Sequence, residues 1–282
     1  MSRKDWKRPS VTMPEDKKRI KLVISYDGSS FHGWQNQDNA PSVESTIENE
    51  LSLLLGEKVF LQGSGRTDSG VHALCQVAHF DTNSSIDAKA YSFILNSKLP
   101  PSIRILSSEE MRDLFHARFT TMSREYWYFI KSYDSILPFD KDRVTAIKSL
   151  PNLSLLNEYA SMLKGTHDFT TFCSSKDICE SKVRDIYVSQ WSEEKDLYGL
   201  RVYKYRVVGN AFLYHQVRSM VGTMVECALK NEDSESFKER LDSKNRANAL
   251  KTFPSSGLYL AKISYDEDEY KWFEEEHERK YY

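Results

Sequence analysis

Asp68 is the residue of this sequence best placed to do chemistry. It stands two residues from Arg66 in Gly65-Arg66-Thr67-Asp68-Ser69-Gly70-Val71-His72-Ala73, a polar stretch between the apolar runs Val59-Phe60-Leu61 and Val77-Ala78-His79-Phe80. A carboxylate in such a loop can serve as a nucleophile or stabilise developing positive charge. Gly65 and Gly70 open backbone angles closed to other residues, so the loop can fold sharply and admit a ligand. The same composition equally suits a turn former or a helix N-cap, and spacing alone leaves both readings open. His72 and His79 are capable of acid–base work, yet a hydrogen-bonded structural histidine is the preferred reading for each.

The elements around this loop follow from hydrophobic periodicity. Ile20, Leu22, Ile24 and Tyr26 alternate with polar or exposed positions, a half-buried strand. Ser42 can cap a helix that puts Val43, Ile47, Leu51 and Leu54 or Leu55 on one face. A strand from Lys58 to Gln62 is expected to lead into the loop, and one from Leu74 to Asp81 to lead out. In the exit strand Gln76, Ala78 and Phe80 share one side, Val77 and His79 the other. A helix over Ala88–Leu95 and a short strand around Ile103 and Ile105 complete a strand, helix, strand, strand, helix, strand order.

The second half repeats this alternation without clear sequence repetition. Tyr126, Tyr128 and Ile130 fall on one face of a strand, Trp127 and Phe129 on the other. Loop-like sequence with Pro138 and Pro151 separates the halves, and a helix over Leu153–Leu163 stops at Gly165-Thr166-His167-Asp168-Phe169. His167 and Asp168 are adjacent and so do not face each other, which favours structural hydrogen bonding over a catalytic dyad. Arg184–Trp191 and Leu200–Val208 read as paired strands. Val217, Met220, Val221, Met224, Val225 and Ala228 then form the buried stripe of a helix. Arg218 lies one residue off that stripe, where a solvated surface arginine is the plain reading. A polar helix near Phe237–Leu241 and a strand at Gly257-Leu258-Tyr259-Leu260-Ala261 close the pattern. The expected architecture is α+β: two related halves forming a mostly antiparallel sheet flanked by helices, around one central cleft. The boundaries expected are a basic, disordered arm over 1–18, halves over 19–115 and 116–264, and an acidic tail over 265–282.

Composition narrows the class. With 40% hydrophobic and 28% charged residues in 282, the chain is an ordinary globular protein with length enough for a large core. No apolar leader opens the sequence and no run approaches the length of a membrane span, so a cytoplasmic protein without membrane contact is expected. Cys75, Cys173, Cys179 and Cys227 are scattered without metal-ligand spacing, which reads as reduced thiols. The net charge is −2, but residues 1–20 carry seven Lys/Arg against three Asp/Glu, while residues 265–282 carry three against eight. Any polyanion would therefore meet a local patch and not a global field.

The nonapeptide resembles the catalytic loop of the tRNA pseudouridine synthase A family, and further motifs follow in the same order over roughly residues 20–264. These are Tyr26-Asp27-Gly28 with Gly33-Trp34-Gln35, His116-Ala117-Arg118-Phe119, the basic-x-Tyr-x-Tyr pattern of Arg124–Tyr128, Gly209–Gly222, and Gly257–Ala261. The resemblance implies the pseudouridine synthase fold with a central RNA-binding cleft. It implies Asp68 as the catalytic residue, Arg218 as the arginine that pairs with it, and Tyr126 and Leu258 lining the base. A nearby cation would keep Asp68 ionised and oriented; Arg66, on the same loop, is the competing partner. Extruding the base costs a few kcal/mol, about what one stacking step is worth, and either Arg66 or Arg218 could fill the space it vacates. Trp34 and its amide-rich loop suit either stacking against RNA or burial in the core. Cys75 stands where the family usually has Gly, and Gln216 where it usually has Met, changes of packing more than chemistry.

What the resemblance implies for activity is isomerisation of uridine to pseudouridine at tRNA positions 38 to 40 by a homodimer, with no metal and no small-molecule cofactor. A relative modifying other tRNA uridines is the nearest alternative. A non-catalytic RNA-binding protein is disfavoured because Asp68, Tyr126 and Arg218 all stand. A hydrolase or metalloenzyme is disfavoured by the lack of Gly-x-Ser-x-Gly, His-Glu-x-x-His and P-loop signatures.

Overall fold

Ile20, Leu22 and Ile24 are fully buried along the first strand, β1 (Lys18–Tyr26), as their alternation demands. The computed structural model describes residues 13–14, 16–37, 40–111 and 115–265. Almost all of the basic arm at 1–18 and the acidic tail at 265–282 thus lies outside the described residues, though Lys18 already belongs to β1. The described chain forms two compact units. One comprises the residues up to Thr67, Ala73–Met122 and the chain from Ile263; the other comprises Asp68–His72 and Ser123–Lys262.

In the first unit the Ser42 hydroxyl accepts the Ser45 N–H and the Ser45 hydroxyl takes the Ser42 N–H, closing the start of helix α1 (Val43–Leu55). Its apolar face, Val43, Ile47 and Leu51, is fully buried, worth roughly 1.5–3 kcal/mol per side chain. The strand expected over Lys58–Gln62 shrinks to β2 (Gln62–Gly63), paired with His79 and Ala78. The physical reason lies on α1. Ser52 Oγ accepts the Val59 N–H and Glu48 Oε1 the Leu61 N–H, so these donors are satisfied without a ladder. Strand β3 (His72–Thr82), helix α2 (Ala90–Asn96) and strand β4 (Ile103–Met111) follow, with strand order β4-β1-β3, antiparallel throughout. Tyr91 of α2 meets Phe80 of β3 edge-on at 5.2 Å. Trp34 is buried at 2% exposure, donating to Glu44, and a Cβ on Gly63 would lie 2.5 Å from its indole nitrogen. It is a core residue. Residues 115–121 also belong to this unit: Arg19 donates to Phe115 O, Ala117 N–H to His79 Nδ1, and Ser64 Oγ shares a hydrogen bond with Thr121 Oγ1.

The second unit opens with β5 (Ser123–Ser132), whose Tyr126, Tyr128 and Ile130 are buried while Trp127 and Phe129 are half-buried. Two short strands occupy sequence read as loop: β6 (Thr145–Ile147), parallel to β5, and, after helix α3 (Leu153–Met162), β7 (Gly165–Asp168). Gly165 stops the helix as expected, at φ 98°, and the next residues turn straight into β7. The hairpin β8 (Val183–Lys195) and β9 (Arg201–Gly209), helices α4 (Gln216–Leu229) and α5 (Ser234–Asp242), and strand β10 (Leu258–Ser264) complete the unit. Strand order is β10-β5-β9-β8-β7. Each unit therefore places its first strand between its last and a later one, β4-β1-β3 and β10-β5-β9. The chain is α+β with mostly antiparallel pairing, as expected.

Lys131 pins the segment before β6 to the β8–β9 turn. Its ammonium is fully buried, 2.6 Å from Asp140 and 2.7 Å from Asp196. A buried cation between two carboxylates is costly to break because both anions lose their counter-charge. Lys131→Met should destabilise the protein by about 3–5 kcal/mol, read as a lower urea midpoint. A midpoint equal to that of the parent would show that the network contributes nothing.

Candidate active site

Asp68 is held by its own backbone first. The Val71 N–H donates to Asp68 O at 3.1 Å, and Gly70 takes φ 76° in this tight turn. A Cβ on Gly70 would meet Ser255 Oγ at 2.7 Å, so the turn sits against that serine as only glycine allows. The turn presents the carboxylate to the first turn of α4. There Arg218 Nη1 donates to Asp68 Oδ2 at 2.9 Å, with 16% and 21% of the two side chains exposed. Burial of this degree shields the pair from solvent screening, and the N-terminal end of a helix favours an anion. Asp68 Oδ1 has no hydrogen-bond partner among the described residues.

The guanidinium is fixed from behind as well. Arg218 Nε donates to Phe253 O at 2.8 Å, and the Phe253 N–H returns to Arg218 O at 3.1 Å. This needs residues 250–253 to lie close along α4. Gly222 makes that approach possible: a Cβ there would stand 1.8 Å from Lys251 O. Leu250 N–H donates to Thr223 Oγ1 beside it. Arg218 is thus no solvated surface arginine. Arg66 is exposed, with no hydrogen bond or ion pair among the described residues, so the loop neighbour loses Asp68 to a residue 150 positions away.

Tyr126 lies on β5, buried at 7% exposure and edge-on to Phe212 at 5.1 Å. Burial pushes its phenol up to about 12; the Asp68 charge adds to this and Arg124 opposes it. The ring is held neutral and apolar. Leu258, also buried, begins β10, the strand beside β5. The histidines behave as structural groups. His72 Nε2 bonds Asp142 O at 2.7 Å and its ring stacks on Tyr259, while burial lowers His79 to about 3 as it accepts the Ala117 N–H. His167 Nε2 bonds Lys164 O, and Asp168 accepts from Thr170.

His215 is the site residue that the sequence did not single out. It caps α4 at φ 63°, and its Nε2 stands 3.5 Å from Asp68 Oδ2. The only signal was its position three residues before Arg218, which places both on the first turn of the helix. Burial lowers its pKa; Asp68 opposes the shift, while Arg218, Arg246 and Lys176 reinforce it. Gln216 is fully enclosed, and its Oε1 accepts the Leu213 N–H at 2.8 Å, so this residue fixes backbone as well as filling space.

A family profile described as tRNA pseudouridine synthase matches residues 22–120 and 159–266. Curated relatives named tRNA pseudouridine synthase A are similar over nearly their whole length. The protein from Bacillus pumilus is 40% identical over 250 residues, covering 88% of this chain and 99% of the relative. That from Bacillus subtilis is 39% identical with the same coverage, and that from Acetivibrio thermocellus 39% identical over 251 residues, 88% of this chain and 100% of the relative.

The contact at Gly222 generates a prediction. Gly222→Ala gains up to about 1 kcal/mol of helix propensity, but the backbone of 250–253 must move to admit the methyl. Overpacking of this kind costs roughly 1–3 kcal/mol. The variant should melt lower and lose catalytic rate beyond its loss of stability, because Phe253 O leaves Arg218. A variant as stable and active as the parent would contradict this geometry.

Proposed function

Since the chain belongs to the tRNA pseudouridine synthase family, we propose that it acts on the anticodon stem-loop, at positions 38 to 40, with Asp68 as the nucleophilic carboxylate and Arg218 as its partner. The chain is an isomerase that converts uridine in tRNA to pseudouridine. The observation that carries the assignment of residues is the Arg218–Asp68 pair at 2.9 Å. The choice of stem-loop rests on the order of the motifs.

The reaction is neutral in electrons and needs no water. The bond from ribose C1′ to N1 of the base breaks, a bond from C1′ to C5 forms, and C5 gives up the proton that balances the one gained at N1. The protein must supply a charged carboxylate, hold the detached base and keep solvent from the reacting carbon. Arg218 sets a full positive charge beside Asp68 and orients it by a hydrogen bond. Tyr126 and Leu258 offer apolar surface to the base, and the neutral phenol avoids a second anion beside Asp68. Arg218 is committed at both Nε and Nη1, whereas Arg66 is exposed and has no partner among the described residues. Arg66 is therefore the side chain we assign to the space left by the extruded uridine. A homodimer in the cytoplasm, with tRNA crossing both subunits, completes the reading.

Mapping pseudouridine in unmodified tRNA after incubation with the purified protein tests the site directly; product only outside the anticodon stem-loop would overturn it. Asp68→Asn should abolish turnover while tRNA binding survives. Arg218→Lys keeps the charge and loses the planar fork, so turnover should fall about a hundredfold, or ~3 kcal/mol. If the two act as one unit, the double variant is no slower than Asp68→Asn alone. Full activity in Asp68→Asn would refute the nucleophile, and normal turnover in Arg218→Lys would refute its partner.

A further inference from the structure

Residues 213–216 form a reverse turn that is fixed from four directions. Gln216 N–H donates to Leu213 O at 3.1 Å, and Leu213 N–H donates to the Gln216 side chain at 2.8 Å. Tyr214 N–H donates to Asp177 Oδ2 at 2.7 Å, and Tyr214 O accepts the Ser174 N–H at 2.9 Å. Asp177 is itself held below the usual carboxylate range; burial opposes this, and hydrogen bonds from Lys182, Tyr214 and Cys179 overcome it. Such bracing is what a left-handed residue other than glycine requires, since that conformation is strained. The strained residue is His215, at φ 63°. Relaxing it would withdraw the one imidazole that reaches Asp68.

We propose that His215 is a positioning residue for Asp68: with Arg218 it engages Oδ2, and so turns Oδ1 to the substrate. The inference rests on Asp68 being the reacting carboxylate. Both side chains converge on the same oxygen, at 2.9 Å from Arg218 and 3.5 Å from His215, and Oδ1 accepts no hydrogen bond from either. Fixing one oxygen from two sides removes rotation about the carboxylate axis, which a single hydrogen bond permits. The neutral imidazole does this best, because it stands against the carboxylate oxygen without adding a second full charge. The groups facing it favour that form. Arg218 on α4, Arg246 in the turn before residue 250 and Lys176 in the loop before β8 oppose protonation, as burial does; Asp68 alone favours it. Asp177 reaches the turn through the Tyr214 N–H and is neutralised by Lys182, and the Tyr214 ring lies tilted against His215, the ring centroids 3.9 Å apart.

Two substitutions keep the backbone that His215 needs, because Gly and Asn both accept positive φ. His215→Gly removes the imidazole, and His215→Asn restores an N–H that does not titrate. At saturating tRNA, His215→Gly should slow single turnover at least tenfold with the tRNA Kd changed less than twofold. His215→Asn should recover most of that rate. As pH falls below the ordinary histidine value of about 6.5, the parent should lose rate while His215→Asn stays level. A His215→Gly enzyme at the parental rate, or one whose loss is all in tRNA affinity, would overturn the inference. So would superimposable pH profiles for the parent and His215→Asn. Activity retained in Asp68→Asn is a different failure, that of the nucleophile on which the inference rests.

Discussion

The ion pair between Arg218 and Asp68 is the constraint on which the rest of the site depends. Its partners lie 150 residues apart, so neither local turn chemistry nor helix propensity can bring them together. Both belong to the second compact unit, which includes Asp68–His72 and Ser123–Lys262. Each feature of α4's first turns serves that meeting. Gly222 lets residues 250–253 run against the helix, and Phe253 holds the far side of the guanidinium. With Nε anchored on a carbonyl, the remaining freedom of the side chain is about its Nη atoms, one of which is spent on Asp68. An arginine anchored at both ends loses little further entropy when it works, which is the physical content of pre-organisation.

The neighbours of the carboxylate divide according to charge. Tyr126, raised to about 12 chiefly by burial, stays a phenol, and the Asp68 charge adds a smaller push the same way. His215 has its pKa lowered, first by burial and then by Arg218, Arg246 and Lys176, against the pull of Asp68. Asp68 thus has a single full counter-charge in hydrogen-bond contact, Arg218, and polar or apolar groups elsewhere. That arrangement orients the carboxylate without smothering it. A second bonded cation would stabilise the anion further and leave less of it open.

What could be read from the sequence depended on where each group finds its partner. α1 was legible because its cap, Ser42, and its buried face, Val43, Ile47 and Leu51, are all local. β5 and α4 were legible by their periods of two and of about 3.6. Val59–Leu61 misled because its apolar run looks like a strand, whereas Ser52 and Glu48 take its backbone donors, a fact of tertiary packing. β6 and β7 are three and four residues long, too short for a period to show. Arg66 competed with Arg218 on sequence grounds because it is near in the chain; folding reversed that order. His215 carried no signal of its left-handed backbone, since histidine is not a residue that demands it. Only the hydrogen bonds of Gln216 and Asp177 explain the conformation.

The charge of the whole chain conceals the field at the site. At −2 the protein would not be expected to attract a polyanion. Yet the groups that act on His215 at the rim of Asp68 are Arg218, Arg246 and Lys176, three cations to one carboxylate. Asp177, the other carboxylate nearby, is matched by Lys182 at 2.8 Å. The excess of positive charge is therefore local, carried by α4, the loop before β8 and the turn before residue 250. A phosphate near this rim would meet fixed cations at close range, where screening by salt is weakest, and distant acidic residues would contribute little beyond a Debye length of about 10 Å. The same cations that lower the basicity of His215 are those a phosphate backbone would meet.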